Sequence, residues 1–421
     1  MIYQPLRSLE IVYRGWGEEW IVGRLVEGTV RGHWLFEYTA EALERGIELS
    51  PLQVPLSTET YADFERHQDR LPGFVADSLP DGWGRLLTDR LLRRNQLEPA
   101  RVSVLDRLAL LGENTMGALT YRPLMSLPDN QQDEYNIHNL LDLAQQVREE
   151  VTGQDSEALR ELVRLGGSPH GARPKAVVNY NPGSGEMGTT PFSGSEAWLV
   201  KFPSALEESW VCAMEEVYAR MARQAGIAFP ESQYFPLSDG LAAFGVHRFD
   251  RQGELRIPVM SMAGALHADF RLPSLDYSQV LKATSLITRS AAEKEIQARR
   301  MVFNVLMNNR DDHAKNFSFI LNAEDEWEVS PAYDLTFQDG PGGEHQTAVM
   351  GYGRNITRSM MVKAGESAGI PANTMKSIID EVADIAVAFV RVADAFADII
   401  PRKEILFFEG RINQNLNALQ K

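Results

Sequence analysis

Two carboxylates and one amide set the strictest condition on how this chain folds. Asp311 and Asn316 stand five positions apart in Asn309-Arg310-Asp311-Asp312-His313-Ala314-Lys315-Asn316, and Asp334 follows within Pro331-Ala332-Tyr333-Asp334-Leu335. Helical periodicity over Ser290–Met307 precedes the first string, and the apolar run Phe317–Leu321 follows it with the pattern of a strand. For the three polar groups to act together, a helix must end before Asp311, the chain must turn, and a short hairpin must return Asp334 to the turn. Taken alone, Asp311, Asp312 and Asn316 also suit the capping of an ordinary turn.

Chemistry favours the joint reading. Phosphoryl transfer needs a carboxylate to orient the attacking hydroxyl and oxygen ligands to hold Mg²⁺ on the phosphates of ATP. Asp311 has the place of the catalytic carboxylate, with Asn316 and Asp334 as the metal ligands. Asp312 reads as a loop residue behind them. Lys315 either neutralises the transferring phosphate or pairs with Asp311, and His313 orients a neighbouring group more readily than it binds a metal.

Upstream elements complete the order. Gly166-Gly167-Ser168-Pro169-His170-Gly171-Ala172 is a glycine-rich turn whose amides could approach phosphate oxygens, although it matches neither a Walker A loop nor Gly-x-Gly-x-x-Gly. Lys201 lies in the apolar strand pattern Trp198-Leu199-Val200-Lys201-Phe202-Pro203, where an ammonium needs an anion or a carboxylate partner. Glu215 and Glu216 on the following helix are the candidate partners. Glycine loop, strand Lys, helix Glu, catalytic Asp, Asn and metal Asp follow one another as in protein kinases.

With 421 residues the chain suits two or three domains. Forty-two Lys+Arg against 58 Asp+Glu leave a formal charge of −16, which repels nucleic-acid phosphates unless a basic patch or a partner intervenes. The single cysteine, Cys212, excludes an internal disulfide and suits a reducing compartment. No signal peptide is expected at the start. The apolar stretch Val382–Ile400 is broken by Asp384, Arg391, Asp394 and Asp398, so a soluble, cytoplasmic protein without membrane contact is expected.

Along the chain, Glu10–Tyr13, Trp20–Leu25 and Trp34–Tyr38 read as strands, Glu59–His67 and Gly84–Arg94 as helices, and Gly117–Tyr121 as a further strand. Leu127–Glu134 reads as a linker. Leu140–Thr152 and Asp155–Leu165 are helical. Ala176–Tyr180, Ala197–Phe202 and Leu241–Phe249 suggest a small mixed sheet, with the helix Ser209–Ala225 inserted between strands. Tyr277–Ile287, Ser290–Met307 and Thr374–Phe396 are helical, and Ser290 with Glu293 suits a capping box. Arg248 and Asp250 read as a structural ion pair, and Trp34 and Trp83 as core of the N-terminal domain.

The strings Gly167–Lys175 (GSPHGARPK), Trp198–Pro203, His247–Arg251 (HRFDR), the run DDHAKNFS and Pro331–Leu335 (PAYDL) resemble those of the HipA family of bacterial toxin–antitoxin kinases. Val22–Leu25, Phe36–Tyr38, Leu79–Gly84 (LPDGWG) and Gly117–Leu119 resemble that family's N-terminal domain. The resemblance implies an α+β, protein-kinase-like two-lobed fold, with a small mixed β/α N-lobe, a helical C-lobe and an appended N-terminal β/α subdomain. The expected bounds are 1–126 for the subdomain, 135–258 for the N-lobe with its glycine-rich loop, and 259–421 for the C-lobe.

It further implies an ATP- and Mg²⁺-dependent serine/threonine protein kinase. Asp311 and Lys315 would be catalytic, Asn316 and Asp334 would bind metal, and Glu215 would be the helix partner of Lys201. Lys201, Gly167, Ser168, Gly171, Ala172, His313 and Asn316 would bind ATP. Ser168 would also be an autophosphorylation site that switches the kinase off, because a phosphate there adds nearly two negative charges beside those of ATP. Pro169 and His170 after the serine depart from some relatives. The implied substrate is a translation component such as an aminoacyl-tRNA synthetase. The implied partner is a HipB-like helix-turn-helix antitoxin, through which alone the chain would meet DNA. A small-molecule phosphotransferase and a degenerate kinase serving as a scaffold are the competing readings.

Overall fold

The computed structural model describes residues 3–125, 137, 139–154, 158–167 and 169–420. The chain divides into two compact units, Met1–Ser209 with Gln233–Met260, and Trp210–Ser232 with Ser261–Lys421.

Two larger sheets shape the first unit. One is four-stranded, with Ser8–Tyr13 between Trp20–Glu27 and Leu119–Arg122, and Trp34–Tyr38 at the edge beyond Trp20–Glu27. Its inward residues alternate along Trp34–Tyr38, as a half-buried strand requires. The other sheet is five-stranded and centres on Glu196–Lys201, which lies between Lys175–Tyr180 and Ala242–His247. Both of those pairings are antiparallel, where a mixed sheet was expected.

The helices Gly82–Arg94, Leu140–Val151 and Leu159–Gly166 close over the second sheet in one core. Trp83, Leu87, Leu143, Leu162, Val178 and Trp198 are among its buried side chains. Trp83 therefore belongs to a core shared with the glycine-loop sheet, not to a separate core of the N-terminal domain. Trp34 is also buried.

Glu59–His67 is not helical. Tyr61 exchanges backbone hydrogen bonds with Phe36 (2.9 and 2.8 Å) and extends the edge of the first sheet, and only Arg66–Gln68 forms a 3₁₀ turn. Packing of Tyr61 beside Phe36 and Tyr38 overrides the helical spacing. The expected linker Leu127–Glu134 and the start of Asp155–Leu165 lie outside the described residues; the latter segment is helical over Leu159–Gly166.

The second unit is mainly helical. Trp210–Gln224, Tyr277–Thr288, Ala291–Leu306, Ala372–Ala386 and Arg402–Ala418 are its longest helices, and Ser318–Leu321 pairs antiparallel with Trp327–Val329. Ser290 caps its helix by accepting from the Glu293 amide at 3.3 Å, but the reciprocal half of the expected box is missing. The Glu293 carboxylate accepts instead from Val329 N at 2.6 Å, fastening the helix to the hairpin. A full capping box forms at Asp276 and Gln279.

Thr374–Phe396 is not one helix. Ala372–Ala386 ends and Phe389–Ala393 follows, while the buried positions Val382, Ala386, Phe389 and Val392 keep helical spacing through the break. Periodicity could not register it. Among the described residues no helix is long and apolar enough to cross a membrane.

Candidate active site

In the first unit the glycine-rich segment joins the helix Leu159–Gly166 to the strand Lys175–Tyr180. Gly171 has φ +102°, a backbone region closed to most side chains, and a Cβ there would stand 2.4 Å from the Lys175 Nζ. Lys175 is buried, and its ammonium donates to the His170 carbonyl, closing the turn on itself. Lys201 is buried too and lies directly opposite Lys175 in the strand register. Facing residues of an antiparallel pair project on one side of the sheet, so two ammonium groups lie on the sheet face at the foot of the loop. Sequence reasoning selected Lys201 and missed Lys175, whose place opposite it emerges only with the register. Gly167 is buried and Ala172 exposed, and Ser168 lies outside the described residues.

In the second unit the helix Ala291–Leu306 stops at Met307, and the following residues hang on a polar chain. Asn309 Nδ2 donates to Asn304 Oδ1 (3.0 Å), Asn304 Nδ2 to the Tyr277 hydroxyl (2.9 Å), and that hydroxyl to Asp312 Oδ2 (2.8 Å). Asp312 has no exposed surface. Its carboxylate also meets His345 Nδ1 (2.8 Å) and accepts from the backbone amides of Gln346 (2.9 Å) and Thr347 (3.2 Å). It therefore anchors the segment 345–347 beneath the loop.

Asp311, its neighbour, is half-buried, and its Oδ1 accepts from Gln346 Nε2 at 2.8 Å. Burial pushes its carboxyl above the ordinary aspartate range. Asp334 and Asp312 push the same way, while His313 and the Gln346 hydrogen bond oppose them.

Asn316 donates Nδ2 to the Asp311 carbonyl (2.7 Å), leaving its amide oxygen as the atom available to a hard cation. Asp334 sits at φ +54°, a left-handed conformation that aspartate tolerates better than most residues. Its charge is one of those that push the Asp311 carboxyl up. Lys315 is buried with Nζ 4.3 Å from the centre of the Phe270 ring, and the His313 ring meets the edge of that same phenyl. The Tyr333 hydroxyl donates to the Lys315 carbonyl (2.6 Å), tying the loop to the segment that carries Asp334.

Of the two candidate glutamates on Trp210–Gln224, Glu216 is committed. It takes Arg220 Nε (2.8 Å), Ser232 Oγ (2.6 Å) and Arg223 (3.5 Å). Glu215 is buried on the same helix. Arg248 and Asp250 form a two-pronged buried pair (2.9 and 2.7 Å), which Arg251 and the Gly117 amide complete. Gln346 and His345 were invisible to motif reasoning, because nothing near them in sequence marks them.

Among the described residues no cluster of three or more His, Cys, Asp or Glu could hold a metal by itself. Asn316 and Asp334 nonetheless carry oxygen atoms of the type that a hard cation accepts.

Comparisons with known proteins agree with this architecture. Residues 167–389 match the HipA-like C-terminal domain, and residues 15–122 match the HipA N-terminal domain. The protein of Sinorhizobium fredii named "Putative kinase Y4dM" is 28% identical over 279 residues, 63% of this chain; the chain spans 62% of that relative's length. HipA in the Shewanella oneidensis structure titled a toxin–antitoxin complex of HipA, HipB and operator DNA superposes with a TM-score of 0.69. It is 20% identical, with 97% of this chain and 96% of that one covered. The fold is the α+β, kinase-like fold of HipA. With more than half of its length matched by the C-terminal family model, the chain belongs to the HipA family.

Proposed function

We propose that the chain is an ATP- and Mg²⁺-dependent serine/threonine protein kinase. One observation carries the reading: the half-buried Asp311 carboxylate is held by Gln346 beside Asn316, whose amide is oriented by the Asp311 carbonyl, and the Tyr333 hydroxyl ties the segment that carries Asp334 to the same loop. A carboxylate held in this way can orient a hydroxyl and accept its proton, which contributes about 10²–10⁴-fold to the rate.

Asn316 and Asp334 would hold Mg²⁺, which when bound neutralises charge on the phosphates. Lys315 would neutralise the transferring group, and Lys201 would contact the nucleotide phosphates with Glu215 as its partner. Gly167, Gly171, Ala172 and His313 would complete the ATP site. Ser168 would be the autophosphorylated residue. By the family's habit the substrate would be a translation component such as an aminoacyl-tRNA synthetase. A HipB-like antitoxin would restrain the kinase and supply the DNA contact that a chain of charge −16 does not favour.

The test is Asp311→Asn, which keeps the side-chain volume and an acceptor for Gln346. Transfer of labelled phosphate from ATP to protein should fall at least about a hundredfold, with the fold unchanged. Undiminished transfer overturns the assignment. Phosphoproteomics of cells expressing the wild type against this variant would identify the substrate.

A further inference from the structure

The Asp81–Gly84 turn departs from local rules in a way that the kinase chemistry does not use. Asp81 occupies the N-cap of Gly82–Arg94, where an aspartate ordinarily accepts from an amide of its own first turn, yet it makes no such bond. Its Oδ1 accepts instead from the Gly171 amide at 2.6 Å, and the Gly171 carbonyl accepts from Trp83 N at 3.1 Å. Both backbone groups of one loop residue are thus held by a turn ninety positions away in the chain.

Trp83 adds a third tie, its indole Nε1 donating to the Lys175 carbonyl at 3.0 Å. The contact is backbone on backbone. A Cβ at Gly82 would stand 2.5 Å from the Gly171 oxygen, and one at Gly84 would stand 2.6 Å from the Gly167 oxygen. Nothing at either place is a flexible side-chain end that could move aside. The turn is itself anchored, because Trp83 and Leu87 belong to the core shared with the sheet that carries Lys175 and Lys201. Farther along the same unit, Asp250 and Arg251 bind the backbone of Thr115 and Gly117, tying the N-terminal domain to the end of that sheet.

We infer that Asp81 is a positioning residue. With Trp83 it clasps Gly171 and holds the C-terminal stem of the glycine-rich loop in the shape that receives the nucleotide phosphates, so the N-terminal domain is a working part of the nucleotide site. The inference rests on the kinase reading for its consequence, but not for the clasp itself. Loss of a charge-assisted bond to a backbone amide releases the loop. The release shows as weaker nucleotide binding and not as slower chemistry, because what Asp81 holds is the Gly171 amide of the glycine-rich loop.

Three variants of the full chain separate the clasp from ordinary helix capping. Asp81→Ala removes both. Asp81→Ser restores a good N-cap with a side chain too short to reach Gly171. Asp81→Asn keeps an oxygen acceptor at the same reach. Two measurements are made on each: hydrogen exchange of the Gly171–Lys175 amides without nucleotide, and the Kd and KM for Mg·ATP together with kcat.

Asp81→Ala and Asp81→Ser are expected to speed exchange at Gly171 and to raise Kd and KM about tenfold, with kcat within about twofold of wild type. Asp81→Asn should stay close to wild type in both. Wild-type exchange and affinity in Asp81→Ala overturn the inference, as does rescue by Asp81→Ser, which would make Asp81 a helix cap only. Tighter ATP binding in Asp81→Ala would make the contact inhibitory and also overturns it. Failure of the wild type to bind ATP would sink the kinase reading instead, while the exchange measurement would still decide whether the clasp exists.

Discussion

Asp312→Ala should be among the most damaging single changes in the second unit, although Asp312 is not assigned to the chemistry. The carboxylate is fully buried and meets four groups: the Tyr277 hydroxyl, His345 Nδ1 and the amides of Gln346 and Thr347. Of these four residues, Tyr277, His345 and Thr347 are themselves buried, so water cannot replace the lost acceptor for them. Each buried group left unsatisfied costs about 1–3 kcal/mol. Part of that is offset because a buried charge no longer has to be desolvated. A net loss of about 4 kcal/mol is expected. With a denaturant slope of about 3 kcal/mol/M in urea, the unfolding midpoint of this unit falls by more than about 1 M. Asp312→Asn keeps one acceptor for the two amides and should lose about half as much. Urea unfolding followed by tryptophan fluorescence at neutral pH measures both. A loss under about 1 kcal/mol in the alanine variant, with unchanged slope, would refute the view that Asp312 anchors the segment 345–347.

Gln346→Ala removes the hydrogen bond that holds Asp311 and should lower kcat about tenfold, with stability changed by less than about 1 kcal/mol because Gln346 is only half-buried; phosphate-transfer kinetics beside urea unfolding would separate the two effects. Asp250 is buried, which raises its carboxyl, but Arg248 and Arg251 outweigh burial and hold it well below the aspartate range. Its stabilising contribution is therefore complete above the unfolded aspartate pKa of about 4 and declines as pH falls further below it. Paired unfolding curves of wild type and Asp250→Asn should differ by about 3 kcal/mol at pH 6 and by less at pH 3; a gap that widens on acidification would contradict the sign. Gly84→Ala should cost about 1–3 kcal/mol, because its new methyl meets the Gly167 carbonyl and one of two packed backbones must shift; thermal unfolding would measure it.

The legible parts of the site were those encoded between near neighbours. A helix stop, a five-residue turn and a hairpin are local events, so the spacing from Asp311 to Asn316 and on to Asp334 could be read directly. The strand around Lys201 was marked by its apolar neighbours. Two local readings failed where distant contacts won: Tyr61 joined a sheet edge despite helical spacing, and the Glu293 carboxylate went to Val329 N instead of its own helix start. The break after Ala386 escaped notice because its apolar positions keep the helical repeat.

By itself the sequence determined which residues could carry phosphoryl-transfer chemistry, their order, and the succession of strands and helices that delivers them. Tertiary structure alone decided what each group became. Asp311 and Asp312 are adjacent and chemically identical, yet one holds a half-buried place beside Asn316 and the other is a sealed anchor, because the His345 ring and the backbone amides of Gln346 and Thr347 close on Asp312 while Asp311 meets the Gln346 side chain. Lys175 joined Lys201 only when two strands took their register, and Asp81 met Gly171 only when Gly82–Arg94 packed into the core of the glycine-loop sheet. The physical reason is common to all three. Local propensity and spacing extend over a few residues, whereas the partner of a buried polar group is chosen by which distant segment shares its core.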